Sequence, residues 1–258
     1  MRFDYYLMEH QEYQTEGRNT AISKDKAMKL ISTKCSKILG YYKEGGQYIY
    51  RAGSRVSGEF ALSQPAKFSR KSANTSNYYT LLMDNLPSWS RYPRRSKSIV
   101  CSNDKYTAAN YSYGRSQYIV FPYDTCKIGI CPDSDIWDSI PRIPGIRGIE
   151  EWESINSELE DIGGLSDNNW SDFKARVDSL DKNQEMASTN RVIRGWALSK
   201  FDTITDYLND AMSPKKCGFR VVKPGDKIPA EGKNELWVGE ADSVLVVSEY
   251  IETYLDAL

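Results

Sequence analysis

Strand-like segments occupy both ends of this chain, and amphipathic helical segments lie between them. The strand patterns include three, at 98–101, 118–121 and 127–130, that alternate polar residues with β-branched or aromatic ones and are bounded by Pro, Gly and Asp. The strand-like segments lie at Gln47–Arg51, Ser98–Cys101, Tyr118–Phe121, Lys127–Ile130, Phe219–Val222, Glu235–Val238 and Val244–Val247. Strands followed by helices and then by strands do not form the alternation that builds a parallel α/β sheet. The order instead predicts an α+β fold with a helical insertion.

Apolar residues recur at helical spacing in several further segments. These are residues 23–39, 77–86, 152–162, 170–180 and 190–209. The Pro- and Gly-containing segment 140–148 marks a break before the last three, whereas the Ser- and Lys/Arg-rich stretch 54–75 predicts a loop. We therefore predict an N-terminal half of the core over 1–147, a helical insertion over 148–212, and C-terminal strands over 213–258 that complete the core.

The composition is that of a globular chain without a membrane span. Of 258 residues, 34 are Lys or Arg and 35 are Asp or Glu, so the net charge is −1, and the mean hydropathy is −0.59. The sequence has no apolar run of about 18 residues, and Met1–Gly17 lacks the basic and apolar regions of a secretion signal. We expect a cytoplasmic protein with no membrane partner, acting in the cell that makes it or in a host cell that receives or expresses it.

His10 is the only histidine, and this excludes several kinds of catalytic site. A Ser-His-Asp triad, a Cys-His pair or a multi-histidine metal site would each depend on that one residue, which lies in a polar stretch. The five cysteines are odd in number and form no C-x-x-C motif, so we expect reduced thiols and no metal. Any chemistry therefore has to proceed without imidazole.

Charge is unevenly distributed along the chain. Residues 51–100 hold nine basic side chains and two acidic ones, a net charge of +7, whereas 148–190 hold eleven acidic and three basic ones, a net charge of −8. The acidic block is the expected solvated face of the helical segments. The basic segment predicts an anionic ligand, either the phosphates of a nucleotide or a nucleic acid, although an ordinary solvated loop accounts for it equally well.

Three short segments carry the main functional prediction. The first is Gln47–Gly53, a strand with an arginine near its end; the second is Arg95–Ser102, a strand that contains serines; the third is Asn234–Val238, a strand that begins near a glutamate. The sequence has no Walker loop, no G-x-G-x-x-G motif and no kinase motif, so P-loop phosphoryl transfer and Rossmann hydride transfer lose their main support.

In order and separation, these segments resemble the arginine–serine–glutamate layout of mono-ADP-ribosyltransferases, a family that includes toxins and phage-encoded effectors. The resemblance implies a split β-sheet core and a reaction in which NAD gives its ADP-ribose to a macromolecule, protein or nucleic acid, with release of nicotinamide. It implies catalytic roles for Arg51, Ser98 and Glu235. The implied NAD-binding residues are Arg51, Gly53, Ser98, Ser102, Tyr78 and Tyr79.

The chemistry of these side chains agrees with those implied roles. The guanidinium of Arg51 suits a pyrophosphate or a ribose, and the hydroxyls of Ser98 and Ser102 suit the nicotinamide ribose. The carboxylate of Glu235 suits a bond to the ribose 2′-hydroxyl and stabilisation of the positive charge that develops as the nicotinamide leaves. Tyr78 and Tyr79 suit stacking on nicotinamide, although packing in the core is the more ordinary use of a tyrosine.

Two positions depart from the family pattern. The serine motif is Val100-Cys101-Ser102 in place of Ser-Thr-Ser, and Lys233 stands two residues before Glu235, where arginine-modifying members have Glu or Gln. The acceptor is therefore open, and simple arginine modification is disfavoured. Two other functions also remain open: a non-catalytic nucleic-acid- or protein-binding module that uses the basic segment, and an NAD glycohydrolase with water as acceptor.

Overall fold

The computed structural model describes residues 19–53, 56–71, 77–110, 116–139, 169–182, 200–256 and 258. His10, the segment 140–148 and the predicted helix 152–162 lie outside these ranges, as does the first part of the predicted helix 190–209.

The centre of the fold is a nine-stranded sheet in which every pair of neighbouring strands is antiparallel. Its strands are β1 (Asn19–Ala21), β2 (Tyr50–Gly53), β3 (Phe60–Ser63), β4 (Ser98–Ser102), β5 (Ser116–Pro122), β6 (Lys127–Ile130), β7 (Arg220–Val222), β8 (Glu235–Gly239) and β9 (Ser243–Val247). Their order across the sheet is β1-β3-β9-β5-β2-β4-β8-β6-β7. Together with the helices, this sheet confirms the α+β class.

The sheet consists of two halves joined at one point. Within the described residues, β2 and β4 share one register pair, Tyr50 with Ser102. The neighbouring pairs are longer: β2 and β5 share the register from Tyr50 to Gly53, and β4 and β8 share it from Ser98 to Ser102. Because an antiparallel ladder normally continues along both strands, a ladder that stops after one pair marks a place where the two halves separate.

The described residues also form helices. They are α1 (Lys24–Lys34), α2 (Ser36–Lys43), α3 (Tyr78–Asn85), α4 (Lys105–Asn110), α5 (Ile136–Ser139), α6 (Trp170–Lys182), α7 (Ile204–Ala211) and α8 (Ile251–Leu255). The helices predicted over 77–86 and 170–180 are confirmed as α3 and α6. Among the described residues, no helix combines the length and the apolar character that crossing a bilayer requires.

Three of the predicted elements need correction. The single helix predicted over 23–39 is two helices, because Cys35, with φ −118°, interrupts the helical backbone between α1 and α2. The loop predicted over 54–75 contains β3, which exists because it pairs along its whole length with β9. Of the helix predicted over 190–209, residues 190–199 lie outside the described ranges and 200–203 are not helical; Ile204–Ala211 is helical, and the Thr203 hydroxyl caps it by accepting the backbone N–H of Asp206 at 3.0 Å.

The chain divides into two compact units. The first comprises the described residues of 1–74, 92–136 and 220–258 and contains the entire sheet. In its core, α1 and α2 bury Ile31, Ile38 and Tyr42 against the strands, and the Tyr42 ring meets Phe121 edge-on at 5.2 Å. The apolar stripe of α1 predicted from sequence therefore faces the sheet.

The second unit comprises the described residues of 75–91 and 137–219, so it includes α3 as well as α6 and α7. Its core forms around Trp89, whose indole N–H donates to the Met212 carbonyl at 2.9 Å and whose ring packs on Phe219 at 5.0 Å. Phe173 of α6 is buried beside Trp170 and Tyr78, each at 5.7 Å between ring centres.

Candidate functional site

The register of β4 and β8 sets Ser102 directly opposite Glu235. Tyr50 lies opposite Ser102 on the other side, so Tyr50, Ser102 and Glu235 form a row across three neighbouring strands. Residues opposite each other in an antiparallel pair point to the same face, with Cβ atoms about 5 Å apart. The row coincides with the one register pair that joins the two halves of the sheet.

Glu235 is buried and held on several sides. Its carboxylate Oε1 forms an ion pair with Nη1 of Arg95, and the residue is 7% exposed. Its backbone N–H donates to the Asp133 carbonyl at 2.8 Å, and its carbonyl accepts the N–H of Cys131 at 2.9 Å. The backbone of Glu235 is therefore hydrogen-bonded to the segment that follows β6, and its side chain is held by Arg95.

Arg95 lies in the short 3₁₀ turn Arg95–Lys97 that precedes β4, with its guanidinium 6.0 Å from the centre of the Trp237 ring. Burial by itself lowers the pKa of this guanidinium, but the charge of Glu235 and of other nearby acidic groups outweighs that effect and the net pKa is raised. The Trp237 indole is anchored in turn, since its N–H donates to the Pro93 carbonyl at 2.9 Å and Tyr92 stacks on it.

Arg51 lies where the two halves of the sheet separate. It follows Tyr50 in β2, one residue beyond the joining register pair, and its Nη1 donates to the Val100 carbonyl of β4 at 2.7 Å. Its Nε is buried and finds no hydrogen-bond partner among the described residues. Burial lowers the pKa of Arg51 below its ordinary value. The guanidinium thus spans the opening between β2 and β4 and keeps an unused donor.

The two serines predicted to bind NAD occupy different environments. The Ser102 hydroxyl donates to the Asn234 carbonyl at 3.2 Å and accepts the Asp104 N–H at 3.0 Å. The Ser98 hydroxyl is wholly buried and donates to the Arg94 carbonyl at 2.7 Å. Ser98 pairs with Gly239, at the opposite end of the strand from Glu235, and lies about 13 Å along β4 from Ser102.

The structure therefore places Arg51, Ser102 and Glu235 on three neighbouring strands, with Ser102 directly opposite Glu235 and Arg51 beside the Cys101 thiol, and it does not bring Ser98 to Glu235. The reason is visible in the packing opposite Ser98. A Cβ at Gly239 would lie 2.1 Å from the Ser98 Oγ, so this hydroxyl fills the space that the glycine leaves. Its position is that of a packing residue inside the sheet.

The other predicted NAD-binding residues are not members of this row. Gly53 is buried at the end of β2, and a Cβ added there would lie 3.9 Å from its nearest neighbours, an ordinary van der Waals distance. The packing around this position therefore does not require glycine. Tyr78 and Tyr79 belong to α3 in the second unit, where they are 1% and 2% exposed. Both tyrosines are part of that unit's buried core.

Sequence reasoning did not single out Arg95, Asn103 or Asn234 as site residues. Arg95 was one of nine basic residues in 51–100, and nothing in that run distinguishes the one cation that meets Glu235. The two asparagines flank the predicted strands on the Ser102 and Glu235 sides, and that flanking position is the signal that could have identified them.

At least four of the nine basic side chains in the segment 51–100 form contacts within the fold. Arg51 and Arg95 are bound as described, Lys97 donates to the Phe68 carbonyl at 2.8 Å, and Lys67 donates to the Gln64 side chain at 2.9 Å. These contacts use cations that a nucleic-acid interface would need to present to solvent. The segment is therefore not a uniform cationic surface.

A surface concavity of about 420 Å³ lies between α2 and the turn Lys223–Asp226, and none of Arg51, Ser102 and Glu235 lines it. Within the described part of the chain, no group of three or more His, Cys, Asp or Glu side chains is arranged to hold a metal ion. Searches against protein-family models, curated proteins and solved structures found no significant match to this chain.

Proposed function

We propose that this chain is an NAD-dependent ADP-ribosyltransferase that modifies a macromolecular acceptor and releases nicotinamide. One observation carries the proposal: Arg51, Ser102 and Glu235, taken from three distant segments, lie on adjacent strands at the one point where the two halves of the sheet join. A sheet that separates beside these three residues supports the split-sheet core of the transferase family as the finer description of the fold.

Each of the three side chains has a role in this chemistry. The Nε of Arg51 is buried and has no hydrogen-bond partner among the described residues, which fits a phosphate or ribose oxygen of NAD. Ser102 orients the segment before Glu235 through the Asn234 carbonyl. Glu235, held in direction by Arg95, accepts a hydrogen bond from the ribose 2′-hydroxyl and stabilises positive charge on the ribose. Ser102 thus replaces Ser98 as the serine of the proposed site.

In the reaction, the bond between the nicotinamide nitrogen and the ribose C1′ breaks, and nicotinamide leaves with the electron pair. A nucleophilic atom of the acceptor forms the new bond to C1′ and loses its proton to solvent. The acceptor is a protein or a nucleic acid, and the exposed Lys233 near Glu235 does not favour a guanidinium as the nucleophile. Water in the acceptor's place gives NAD glycohydrolysis.

The first test is nicotinamide release from NAD with and without a cell lysate. Glu235→Gln is expected to lower the rate by about 100-fold or more, and Arg51→Ala is expected to weaken NAD binding measured by calorimetry. Glu240→Gln is the matched control, because Glu240 follows the other end of β8 and pairs with Lys127 at the surface. Equal release by wild type and Glu235→Gln would remove the proposed role of Glu235.

The second test identifies the acceptor. The chain is incubated with labelled NAD and a lysate, and label is measured separately in the protein and nucleic-acid fractions. Label in either fraction that disappears with Glu235→Gln supports transfer, whereas nicotinamide release without label indicates hydrolysis. A chain that binds nucleic acid with steep salt dependence but neither binds nor cleaves NAD would instead be a binding module.

A further inference from the structure

Asn103 and Asn234 bind each other immediately beside Ser102 and Glu235. Nδ2 of Asn103 donates to Oδ1 of Asn234 at 3.0 Å, and the backbone N–H of Asn234 donates to Oδ1 of Asn103 at 2.6 Å. The backbone N–H of Asn103 also donates to the Asn234 carbonyl at 3.3 Å. Both residues are buried, with exposures of 3% and 7%. We refer to this reciprocal contact as the asparagine pair.

The asparagine pair connects separate parts of the first unit. Nδ2 of Asn103 donates to the Pro229 carbonyl at 2.9 Å, in the loop before β8. Nδ2 of Asn234 donates to the carbonyls of Cys131 and Pro132, at 2.8 and 3.1 Å, just after β6. Gln47 adds a bond to the Asn103 carbonyl at 2.6 Å. The ends of β4 and β6, the start of β8 and the loop before it are thus tied together.

A primary amide is the side chain that satisfies these contacts at both positions. At Asn103, Oδ1 accepts a backbone N–H while Nδ2 faces a backbone carbonyl, so the two ends of the amide cannot be exchanged. At Asn234, both Nδ2 hydrogens face backbone carbonyls. A carboxylate would lose the donors, and an apolar residue would leave buried backbone groups unpaired.

The loop Lys223–Lys233 is fixed at a second point as well. Ile228 is buried in the core, and its N–H donates to the Tyr41 hydroxyl at 3.2 Å. Between this contact and the asparagine pair, the chain that leads into Glu235 has little freedom to move. The backbone that carries the Glu235 carboxylate is therefore held in one position relative to Ser102.

We infer that Asn103 and Asn234 are positioning residues that fix the Glu235 carboxylate at the junction of the two sheet halves, an inference that rests on the proposed transferase function. Neither asparagine acts on NAD itself; both act through the backbone that carries Glu235. A positional error of about 1 Å in a catalytic group is enough to lower a rate by up to about 100-fold.

The kinetic test uses Asn103→Ala and Asn234→Ala, and adds the milder Asn103→Ser in case the alanine variants do not fold. Measurements are made at a temperature where circular dichroism shows each variant to be fully folded. We expect kcat for nicotinamide release to fall about 10–100-fold with KM for NAD within about twofold of wild type. The double alanine variant should lose little more than either single variant, because the two residues act as a unit.

A matched control separates positioning from general loss of stability. Val244→Ala truncates a buried side chain on β9, in the other half of the sheet, and is expected to lower stability while leaving kcat unchanged. Unchanged kcat in a folded asparagine variant, or an equal loss of kcat in Val244→Ala, would overturn the positioning role.

An activity-independent measurement distinguishes failure of this inference from failure of the proposed function. Trypsin cleavage after Lys227 and Lys233 should be slow in the wild type and clearly faster in Asn103→Ser, since release of the pair frees the loop. Equal cleavage rates would overturn the constraint that the pair is inferred to impose. If the wild type releases no nicotinamide while the cleavage rates differ as expected, the transferase function and the role toward it fail, and the structural constraint stands.

Discussion

The guanidinium of Arg95 and the carboxylate of Glu235 form an ion pair in the protein interior, and both side chains are more than nine-tenths buried. The two residues are 140 positions apart in the sequence and meet because β4 and β8 are neighbours. Each charge of such a buried pair is tolerated in the interior because the other charge is present.

Removing either partner alone should be strongly destabilising. We expect Arg95→Met to lower the free energy of unfolding by about 3–5 kcal/mol, because it leaves the Glu235 carboxylate buried without its cation. The double variant Arg95→Met with Glu235→Leu should recover much of that loss. Urea unfolding curves of the single and double variants measure both effects.

The surface pair Lys127–Glu240 is the control for this experiment, since its side chains are 35% and 38% exposed. Lys127→Met should change the stability by no more than about 1 kcal/mol. A double variant at Arg95 and Glu235 that is as unstable as the sum of its single variants would contradict the expected coupling. The same measurements also define the conditions under which Glu235→Gln can be assayed as a folded protein.

Tyr42 provides a second test of buried polar contacts. Its hydroxyl donates to the Val120 carbonyl at 2.8 Å and accepts the Ile49 N–H at 3.2 Å, and the residue is 3% exposed. We expect Tyr42→Phe to lower the free energy of unfolding by about 1–3 kcal/mol, because two buried backbone groups lose their partner. Tyr106→Phe, at a residue that is 75% exposed, should change it by less than about 0.5 kcal/mol. Equal thermal midpoints for wild type and Tyr42→Phe would contradict the prediction.

Gly129 is required by the neighbouring Trp237. The two residues are a register pair of β6 and β8, and a Cβ at Gly129 would lie 2.1 Å from the indole ring. Gly129→Ala should therefore displace the indole, weaken its bond to Pro93 and destabilise the fold by roughly 3 kcal/mol. Gly40→Ala is the control, because Gly40 lies in α2 with open space around its Cβ position and should gain up to about 1 kcal/mol. Chemical denaturation checks both values, and similar midpoints for the two variants would argue against the packing described.

Much of the sheet was predictable from sequence, because its strands carry their own pattern. Lys127–Ile130 has the predicted bounds, and the strands begun by Ser98 and Glu235 each extend one residue further than predicted. β3 was missed because it lies in a Ser- and Lys/Arg-rich stretch, and its extended form depends on pairing with β9, a contact between residues far apart in the chain. Local composition does not encode such a contact.

The candidate site was likewise predictable from sequence only in part. The positions of Arg51, Ser102 and Glu235 near strand ends follow from local pattern, so sequence reasoning could propose them together. Which serine meets Glu235 depends on the register of β4 against β8, and the choice between Ser98 and Ser102 turns on that register alone. The contacts of Arg95 with Glu235 and of Asn103 with Asn234 join residues more than 130 positions apart in the sequence, and a single sequence does not specify such contacts.

The buried thiols predict a specific loss of stability at alkaline pH. Burial raises the pKa of the Cys101 thiol to about 12, with the nearby charge of Glu235 adding to the effect and Arg51 opposing it. An unfolded cysteine titrates near pH 8.5, so above that pH the unfolded chain releases a proton that the folded chain retains. The contribution of this thiol to stability is therefore complete below about pH 8.5 and falls by about 1.4 kcal/mol per pH unit as the pH rises toward 12.

The measurement is the free energy of unfolding in urea at several values between pH 8 and pH 10.5, chosen to lie on either side of the ordinary thiol pKa. Cys101→Val removes one of the titrating groups, so its stability should fall less steeply with pH than that of the wild type, by the equivalent of up to one proton. Ile99→Val lies on the same strand and face but does not titrate, so it should lower stability at every pH while keeping the wild-type slope. If Cys101→Val and the wild type have the same slope, the Cys101 thiol does not retain its proton in the folded state, and the tight burial of this residue between Arg51 and the core would be wrong.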